Sequence, residues 1–114
     1  MSNYFPDFIQ SLPKPNSPVV MNARIVPSEF VMPMFYEIDH FVEVPEHKHG
    51  AQWGVVLEGE MELVIEGISQ IYRRGDTYFV PSGALHIARI KAGYKGVDVF
   101  ADAHRYEIKE NESE

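Results

Sequence analysis

The sequence contains no cysteine. This absence excludes a disulfide framework, a thiolate metal site and a cysteine nucleophile, so any metal ion must be held by histidine, carboxylate, amide or water. Basic residues are also scarce: ten lysines and arginines stand against 17 aspartates and glutamates, giving a net charge of −7. An acidic chain without a basic cluster argues against nucleic-acid binding.

Long apolar runs are missing as well. The N-terminal segment has neither the basic start nor the apolar stretch of a signal peptide. No run approaches the length of a membrane-spanning helix, so we expect a cytoplasmic protein without a membrane partner. The 114 residues, 45% of them hydrophobic, suit one domain with its own core and are too few for two.

The negative charge is concentrated in one part of the chain. Residues 37–66 hold eight acidic residues and one base, whereas the segments on either side are balanced. This window also contains His40, His47 and His49. It indicates either a solvated acidic face of a sheet or a field that attracts cations. His40 lies in a predicted turn and is expected at the surface.

Short strands dominate the pattern. Residues 60–66 alternate between apolar and acidic side chains, which predicts a half-buried strand with Glu60 and Glu62 on its outer face. Other segments rich in β-branched and aromatic residues are separated by turn sequences. These segments are 52–57, 76–80, 85–90 and 96–100. Without a stretch of helical periodicity, the pattern predicts an antiparallel sandwich or a small barrel.

The two ends differ from the middle. Residues 1–22 hold four of the eight prolines, which predicts an extended arm that packs on the domain or on a second subunit. The domain itself is assigned to residues 23–106. Residues 107–114 are rich in glutamate and are expected to fray.

Two blocks carry candidate chemistry. His47 and His49 flank Lys48, and residues two apart on a strand share a face, so their imidazoles could bind one divalent ion. Alone, such a pair is more often two ordinary surface histidines. Downstream, residues 75–86 run from a glycine through a strand and a Pro-Ser-Gly turn to His86.

The two blocks together resemble the two motifs of the cupin family, over about residues 35–100. The residues that carry the resemblance are His47, His49, Gln52 and Gly59 in the first motif, and Gly75, Pro81, Gly83 and His86 in the second. The resemblance implies a cupin-type antiparallel β-barrel, that is, a double-stranded β-helix or jelly roll. It also implies a divalent metal ion held by His47, His49, Gln52 and His86.

The chain departs from the family pattern at three points. The gap between His49 and the fourth ligand is short, Gln52 stands where many relatives carry glutamate, and Ile90 replaces a frequent asparagine. Three imidazoles and an amide leave a divalent ion its full charge, which favours polarising an anionic substrate over oxygen chemistry. The ion would be Ni²⁺, Zn²⁺, Fe²⁺ or Mn²⁺.

A third block, residues 97–106, narrows the resemblance. Small single-domain cupins that linearise unsaturated uronates in pectin and alginate breakdown have a similar late Asp-Val-Phe followed by an arginine. The resemblance implies that Asp98 is the general acid–base, Arg105 the partner of a substrate carboxylate and Phe100 a wall of the pocket. Tyr78 is also expected to line the pocket.

The resulting hypothesis is a non-redox metalloenzyme that transfers protons, as an isomerase or lyase, on a small anionic molecule such as a sugar acid. The alternatives are a metal-dependent dioxygenase and a binding or sensor module without turnover. Trp53 follows Gln52 and must face the opposite way, towards another sheet or a partner. Together with the arm and the apolar strands, it predicts a homodimer.

Overall fold

The computed structural model describes residues 2–17 and 22–109 of the chain. Within these residues one helical turn, α1 (Asp7–Gln10), precedes nine strands. The strands are β1 (Asn22–Ile25), β2 (Met32–Ile38), β3 (Val42–His47), β4 (Gln52–Glu58), β5 (Glu60–Ile65), β6 (Ile68–Arg73), β7 (Thr77–Val80), β8 (His86–Ile90) and β9 (Tyr94–Phe100).

The strands form two sheets that enclose the core. The larger sheet has the order β1-β2-β9-β4-β7 and the smaller one the order β3-β8-β5-β6, and the paired strands are antiparallel. Successive strands alternate between the two sheets from β2 to β5 and from β6 to β9, whereas β1–β2 and β5–β6 pair within one sheet, which gives a jelly-roll path. This architecture confirms the predicted cupin-type antiparallel β-barrel.

Strand alternation decides what faces the interior. In β9, Tyr94, Gly96, Asp98 and Phe100 are buried, whereas the residues between them are half-buried. The same period of two places Met32, Met34, Tyr36 and Ile38 of β2 on the inner side. The core thus lies between the two inner faces, and one buried carboxylate, that of Asp98, lies within it.

The outer face of the smaller sheet is charged. Arg89 pairs with Glu43 at 2.8 Å and with Glu62 at 3.1 Å, and Arg73 pairs with Glu60 at 3.0 Å. Exposed pairs of this kind contribute little stability and mark a solvent-facing surface. Glu60 and Glu62 point outward as predicted.

The outer face of the larger sheet is apolar. Trp53 and Phe79 are paired across β4 and β7 and are 45% and 56% exposed. Val55, Val97 and Val99 lie beside them on the same face. Trp53 therefore faces away from Gln52, as strand parity predicts.

Five of the strands agree with the segments singled out in the sequence, namely β4, β5, β7, β8 and β9. Strand β6 was not among them because five of its six residues are exposed, so it carries no apolar alternation. The predicted turn at Gly59 has a positive φ of 86°. A Cβ at Gly59 would lie 2.8 Å from the Cα of Tyr94, so glycine is required there.

The arm and the first residues of the tail meet beside the barrel. Phe5 of the arm is buried and its ring packs edge-on against Phe35, with centroids 5.7 Å apart, whereas Phe8 is exposed. Pro15 forms an isolated bridge with Ile108, so residues 107–109 of the predicted tail pair with the arm. Residues 18–21 of the arm and 110–114 of the tail lie outside the described residues.

Among the residues that the structure describes, no helix combines the length and the apolar character needed to cross a bilayer.

Candidate metal and catalytic site

A cavity of about 520 Å³ lies between the two sheets. The wall from the smaller sheet is mostly apolar; it includes Val44, Met61, Leu63, Ala88 and Ile90. The wall from the larger sheet and the segment after β9 carries most of the polar groups; it includes Tyr36, Gln52, Tyr78, Asp98 and Arg105. A ligand in this cavity would therefore meet one apolar and one polar side.

Three histidines converge at this cavity. His47 ends β3 and pairs in register with His86, which begins β8. Their ring centroids are 4.1 Å apart, and His49 lies 5.2 Å from His47 and 4.8 Å from His86. One nitrogen from each ring falls within 4.8 Å of the others, an arrangement that could hold a metal ion.

The backbone fixes which nitrogen each ring presents. Nδ1 of His47 lies 2.8 Å from the carbonyl oxygen of Pro45. Nδ1 of His49 lies 2.7 Å from that of Gly50, and Nδ1 of His86 lies 2.9 Å from that of Ala84. A carbonyl oxygen can only accept, so Nδ1 is the protonated donor in each ring.

This tautomer leaves Nε2 as a lone-pair donor. The Nε2 atoms of His49 and His86 are buried and have no hydrogen-bond partner within the described part of the chain. An orphaned buried acceptor costs free energy, so a ligand that accepts these lone pairs is favoured. A divalent metal ion fits this donor set.

The three rings do not converge by strand parity alone. The expectation that His47 and His49 lie two apart on one strand is wrong in detail, because β3 ends at His47. His49 belongs to the loop 48–51, whose backbone is tied to the Pro-Ser-Gly turn by a 2.8 Å bond from Gly83 N to His49 O. The second motif therefore helps to position a residue of the first.

His47 and His49 stay neutral near pH 7. Burial, together with the nearby Arg105 guanidinium, lowers the pKa of His49 to about 4. Burial also lowers the pKa of His47. Neutral imidazoles are the form that binds metals.

Gln52 connects the histidine cluster to the buried carboxylate. It is the first residue of β4, and its Nε2 donates to Oδ2 of Asp98 at 2.6 Å. Because the amide nitrogen is committed to the carboxylate, the amide oxygen is left as the atom that could bind a metal ion.

Asp98 is the most deeply buried acid near the cavity, with 3% of its surface exposed. Its Oδ1 accepts hydrogen bonds from the hydroxyls of Tyr78 and of Tyr36, the latter at 3.3 Å. Burial raises the pKa of Asp98 to about 6, and the bonds from Tyr78, Gln52 and Tyr36 oppose this rise. The carboxyl group therefore titrates near neutrality.

Gly54 makes room for this arrangement. A Cβ at position 54 would collide with the Tyr78 ring and with Oδ1 of Asp98. The absence of a side chain on β4 thus permits the close approach of the tyrosine and the carboxylate.

A cluster of tyrosine hydroxyls surrounds Asp98. Tyr78 lies 3.3 Å from Tyr36 and 3.4 Å from Tyr94 between hydroxyl oxygens. Burial and the Asp98 carboxylate raise the pKa values of Tyr36 and Tyr78 well above the ordinary range, so both remain protonated donors. Tyr36 was not singled out from the sequence, although the apolar alternation of β2 marks it as inward-facing.

Arg105 provides positive charge at the cavity. Its guanidinium lies 5.5 Å from the ring centroid of Phe100 and 4.4 Å from that of Tyr106. Its Nε is buried and has no hydrogen-bond partner among the described residues. The neighbouring His104 is exposed. Phe100 is buried and packs edge-on against His49 at 5.5 Å.

The sequence analysis predicts a role in the site for eight residues, and all of them line this cavity. They are His47, His49, Gln52, Tyr78, His86, Asp98, Phe100 and Arg105. The structure adds Tyr36 and Tyr106 to them. No sequence pattern marks Tyr106, because it follows the last strand and strand alternation does not apply there. The cavity thus combines imidazole nitrogens that could hold a metal ion, a buried carboxyl group with a raised pKa and a guanidinium nitrogen without a hydrogen-bond partner among the described residues.

Comparison with protein families gives one match: the Cupin domain matches residues 36–93. No curated protein matches the chain.

Several solved structures share the fold. A cupin described as RmlC-like from Shewanella frigidimarina is 24% identical, with a TM-score of 0.73 over 91% of this chain and 95% of its own. KdgF from a Halomonas species is 20% identical, with a TM-score of 0.70 over 89% of this chain and 94% of its own. Oxalate decarboxylase from Bacillus subtilis, a protein with Mn(II) centres, is 25% identical, with a TM-score of 0.61 over 72% of this chain and 25% of its own.

Proposed function

The chain belongs to the cupin family, and from that premise we propose that it is a metal-dependent enzyme that transfers a proton on a small, anionic, oxygen-rich molecule of the sugar-acid class. The observation that carries the proposal is the contact between Gln52 and Asp98, at 2.6 Å beside the three histidines. It joins a metal-binding group to a titratable acid within one cavity.

The metal ligands in this proposal are His47, His49 and His86 through Nε2, and Gln52 through its amide oxygen. The unpartnered Nε2 atoms of His49 and His86 support this assignment. A divalent ion bound there supplies Lewis-acid polarisation of a substrate oxygen. With no carboxylate among the four groups, the charge of the ion is not offset by its ligands.

Asp98 is the proton-transfer group in this proposal. In the metal-free chain burial raises its pKa to about 6, which brings the carboxyl group towards the range that a general acid–base requires. The hydroxyls of Tyr36 and Tyr78 hold Oδ1, and the amide of Gln52 holds Oδ2. These donors orient the carboxylate and stabilise its charged form after the proton has left.

Arg105 binds the carboxylate of the substrate in this proposal. Its buried Nε lacks a partner in the described chain and is ready to donate to an anion. Stacking on Tyr106 and Phe100 holds the guanidinium plane beside the cavity. The acidic outer face does not oppose an anionic substrate, because Glu60 and Glu62 point away from the cavity and are paired with bases.

The substrate class rests on the resemblance of residues 97–106 to the corresponding block of the unsaturated-uronate cupins. We propose a 4,5-unsaturated uronate as the first compound to test. Its carboxylate matches Arg105, and its ring oxygens match a polarising ion. The apolar wall of Met61, Leu63 and Ile90 suits the less hydroxylated face of such a ring.

The test follows the loss of the conjugated absorbance of a 4,5-unsaturated uronate, with and without a chelator. We expect a loss that the chelator abolishes and that Asp98→Asn reduces by about 10²–10⁴-fold, the range of general acid–base catalysis. Asp76→Asn, on an exposed turn, is the matched control. If the absorbance shows no loss that the chelator abolishes, the uronate is excluded as the substrate. If the protein consumes oxygen in the presence of Fe²⁺, it is a dioxygenase and the proposal is wrong.

We also propose that the chain forms a homodimer through the apolar outer face of the larger sheet. Trp53 and Phe79 expose a paired aromatic surface there, whereas the other sheet carries ion pairs on its outer face. Light scattering at micromolar concentration should give the dimer mass, and Trp53→Glu should reduce it to the monomer mass. A monomer mass for the unmodified chain would exclude the dimer. The cytoplasmic location stays a prediction.

A further inference from the structure

His49 is the one proposed ligand that a loop carries. The loop 48–51 connects β3 to β4, and two of the bonds that hold it join backbone atoms only: Gly83 N to His49 O at 2.8 Å and Ala101 N to Ala51 O at 2.8 Å. A third bond depends on a side chain, because Gly50 N donates to Oδ2 of Asp102 at 2.7 Å.

Gly50 stands between Asp102 and the imidazole. Its N–H is held by the Asp102 carboxylate, and its carbonyl oxygen accepts the 2.7 Å hydrogen bond from Nδ1 of His49. The position of the Asp102 carboxylate thus bears on the acceptor that orients the His49 ring and leaves its Nε2 free.

The identity of residue 50 supports this connection. Gly50 is not among the glycines with positive φ, so its backbone conformation does not require glycine. A Cβ there would lie 2.8 Å from Cγ and 2.9 Å from Oδ2 of Asp102. Glycine is therefore needed for the close approach of the carboxylate.

Asp102 also contacts the turn that carries Arg105. It lies two residues beyond the end of β9, and its carbonyl oxygen accepts the backbone N–H of Arg105 at 3.1 Å. The residue therefore joins the loop that carries the proposed metal ligand to the turn that carries the proposed anion-binding side chain.

We infer that Asp102 is a positioning residue for the metal site, acting on His49 through Gly50. This inference rests on the proposed function, because it assigns Asp102 a role towards the same metal ion. Residues that orient metal ligands typically change metal affinity by about 10- to 100-fold when removed. We expect that effect here without any contact between Asp102 and the metal ion.

The test measures Ni²⁺ affinity of the full chain by competition with a chromophoric chelator. Asp102→Ala should lower the affinity by about 10- to 100-fold. Asp102→Asn should bind nearly as well as the unmodified chain, because its amide oxygen accepts the same bond from Gly50. Gly50→Ala should reproduce the loss, because its methyl group displaces the carboxylate.

A matched control separates this role from general stabilisation. Asp76 also accepts a backbone N–H, that of Arg73 at 2.8 Å, but in an exposed turn that does not line the cavity. Asp76→Ala should keep full Ni²⁺ affinity even if its metal-free melting temperature falls. Equal losses in Asp76→Ala and Asp102→Ala would overturn the inference.

The remaining outcomes also decide. If the unmodified chain binds Ni²⁺ and Asp102→Ala binds it equally tightly, this inference is wrong and the proposed function stands. If the unmodified chain binds no Ni²⁺, the proposed function fails and this inference fails with it. If Asp102→Ala does not fold, the other two variants decide. The inference is supported if Asp102→Asn retains Ni²⁺ affinity and Gly50→Ala loses it, and any other result contradicts the inference.

Discussion

The Nε2 atom of Gln52 lies 2.6 Å from Oδ2 of Asp98. This contact explains why an amide suits position 52. A glutamate in the same place would bring two carboxylates within hydrogen-bond distance in a buried environment, where one of them must hold a proton. The neutral side chain therefore leaves Asp98 as the only acid among the residues that line the interior wall of the larger sheet.

Gln52→Glu should make the stability of the chain strongly dependent on pH. The paired carboxylates would share a proton with a raised pKa, so stability is greatest at low pH and falls as pH rises through that value. In chelator, we expect the variant to be destabilised at pH 8 by about 2–3 kcal/mol relative to the unmodified chain and to recover at pH 5. Denaturant unfolding measures this, with Gln70→Glu on the exposed strand β6 as control. If the free energies of unfolding of the two variants depend on pH in the same way, the account is wrong.

Asp98→Asn should remove a pH dependence that the unmodified chain possesses. The folded-state pKa of about 6 exceeds the ordinary value of 3.8. The associated stability is therefore fully present below pH 3.8 and is lost as pH rises through about 6. We expect the metal-free chain to lose on the order of 2 kcal/mol across this window. Denaturant unfolding in chelator should show this loss in the unmodified chain and in Asp76→Asn, but not in Asp98→Asn.

The eight site residues predicted from the sequence meet at one cavity because most of them lie at fixed spacings on strands. Asp98 and Phe100 are two apart on β9, and His86 follows a turn whose glycine has a φ of 79°. Tyr36 could not be joined to Asp98 in this way, since they are 62 residues apart and meet only because β2 lies beside β9 in the sheet.

The features of the candidate site that the sequence could not predict depend on loops. The backbone bond from Gly83 N to His49 O and the bond from Gly50 N to the Asp102 carboxylate are long-range contacts without a local pattern. No spacing rule could therefore place the His49 ring, although its residue type and position relative to His47 identified it as a ligand candidate.

Tyr36→Phe should raise the pKa of Asp98. The hydroxyl donates to Oδ1 at 3.3 Å and opposes the effect of burial. Its removal should cost about 1 kcal/mol at pH 8 and move the pH-dependent loss of stability to higher pH. Tyr72→Phe is the control, because that hydroxyl donates to Gln70 on the surface. An unchanged midpoint in Tyr36→Phe would show that its hydroxyl does not support the carboxylate.

Arg105→Gln should weaken substrate binding and leave metal binding intact. A hydrogen bond between charged groups contributes about 1.5–3 kcal/mol, so KM for an anionic substrate should rise by about 10- to 100-fold. Steady-state kinetics would measure this, together with Ni²⁺ affinity. Arg89→Gln, on the charged outer face, should change neither. A normal KM in Arg105→Gln would assign the substrate carboxylate to another group.

The most direct test of the account is the metal content of the protein purified without a metal-affinity tag. Elemental analysis should find about one divalent ion per chain, because three imidazoles converge on a single site. His49→Ala should lose the ion, whereas His40→Ala should keep it, since His40 is an exposed residue paired with Asp39. A content well below one ion in the unmodified chain, or equal contents in the two variants, would contradict the central claim.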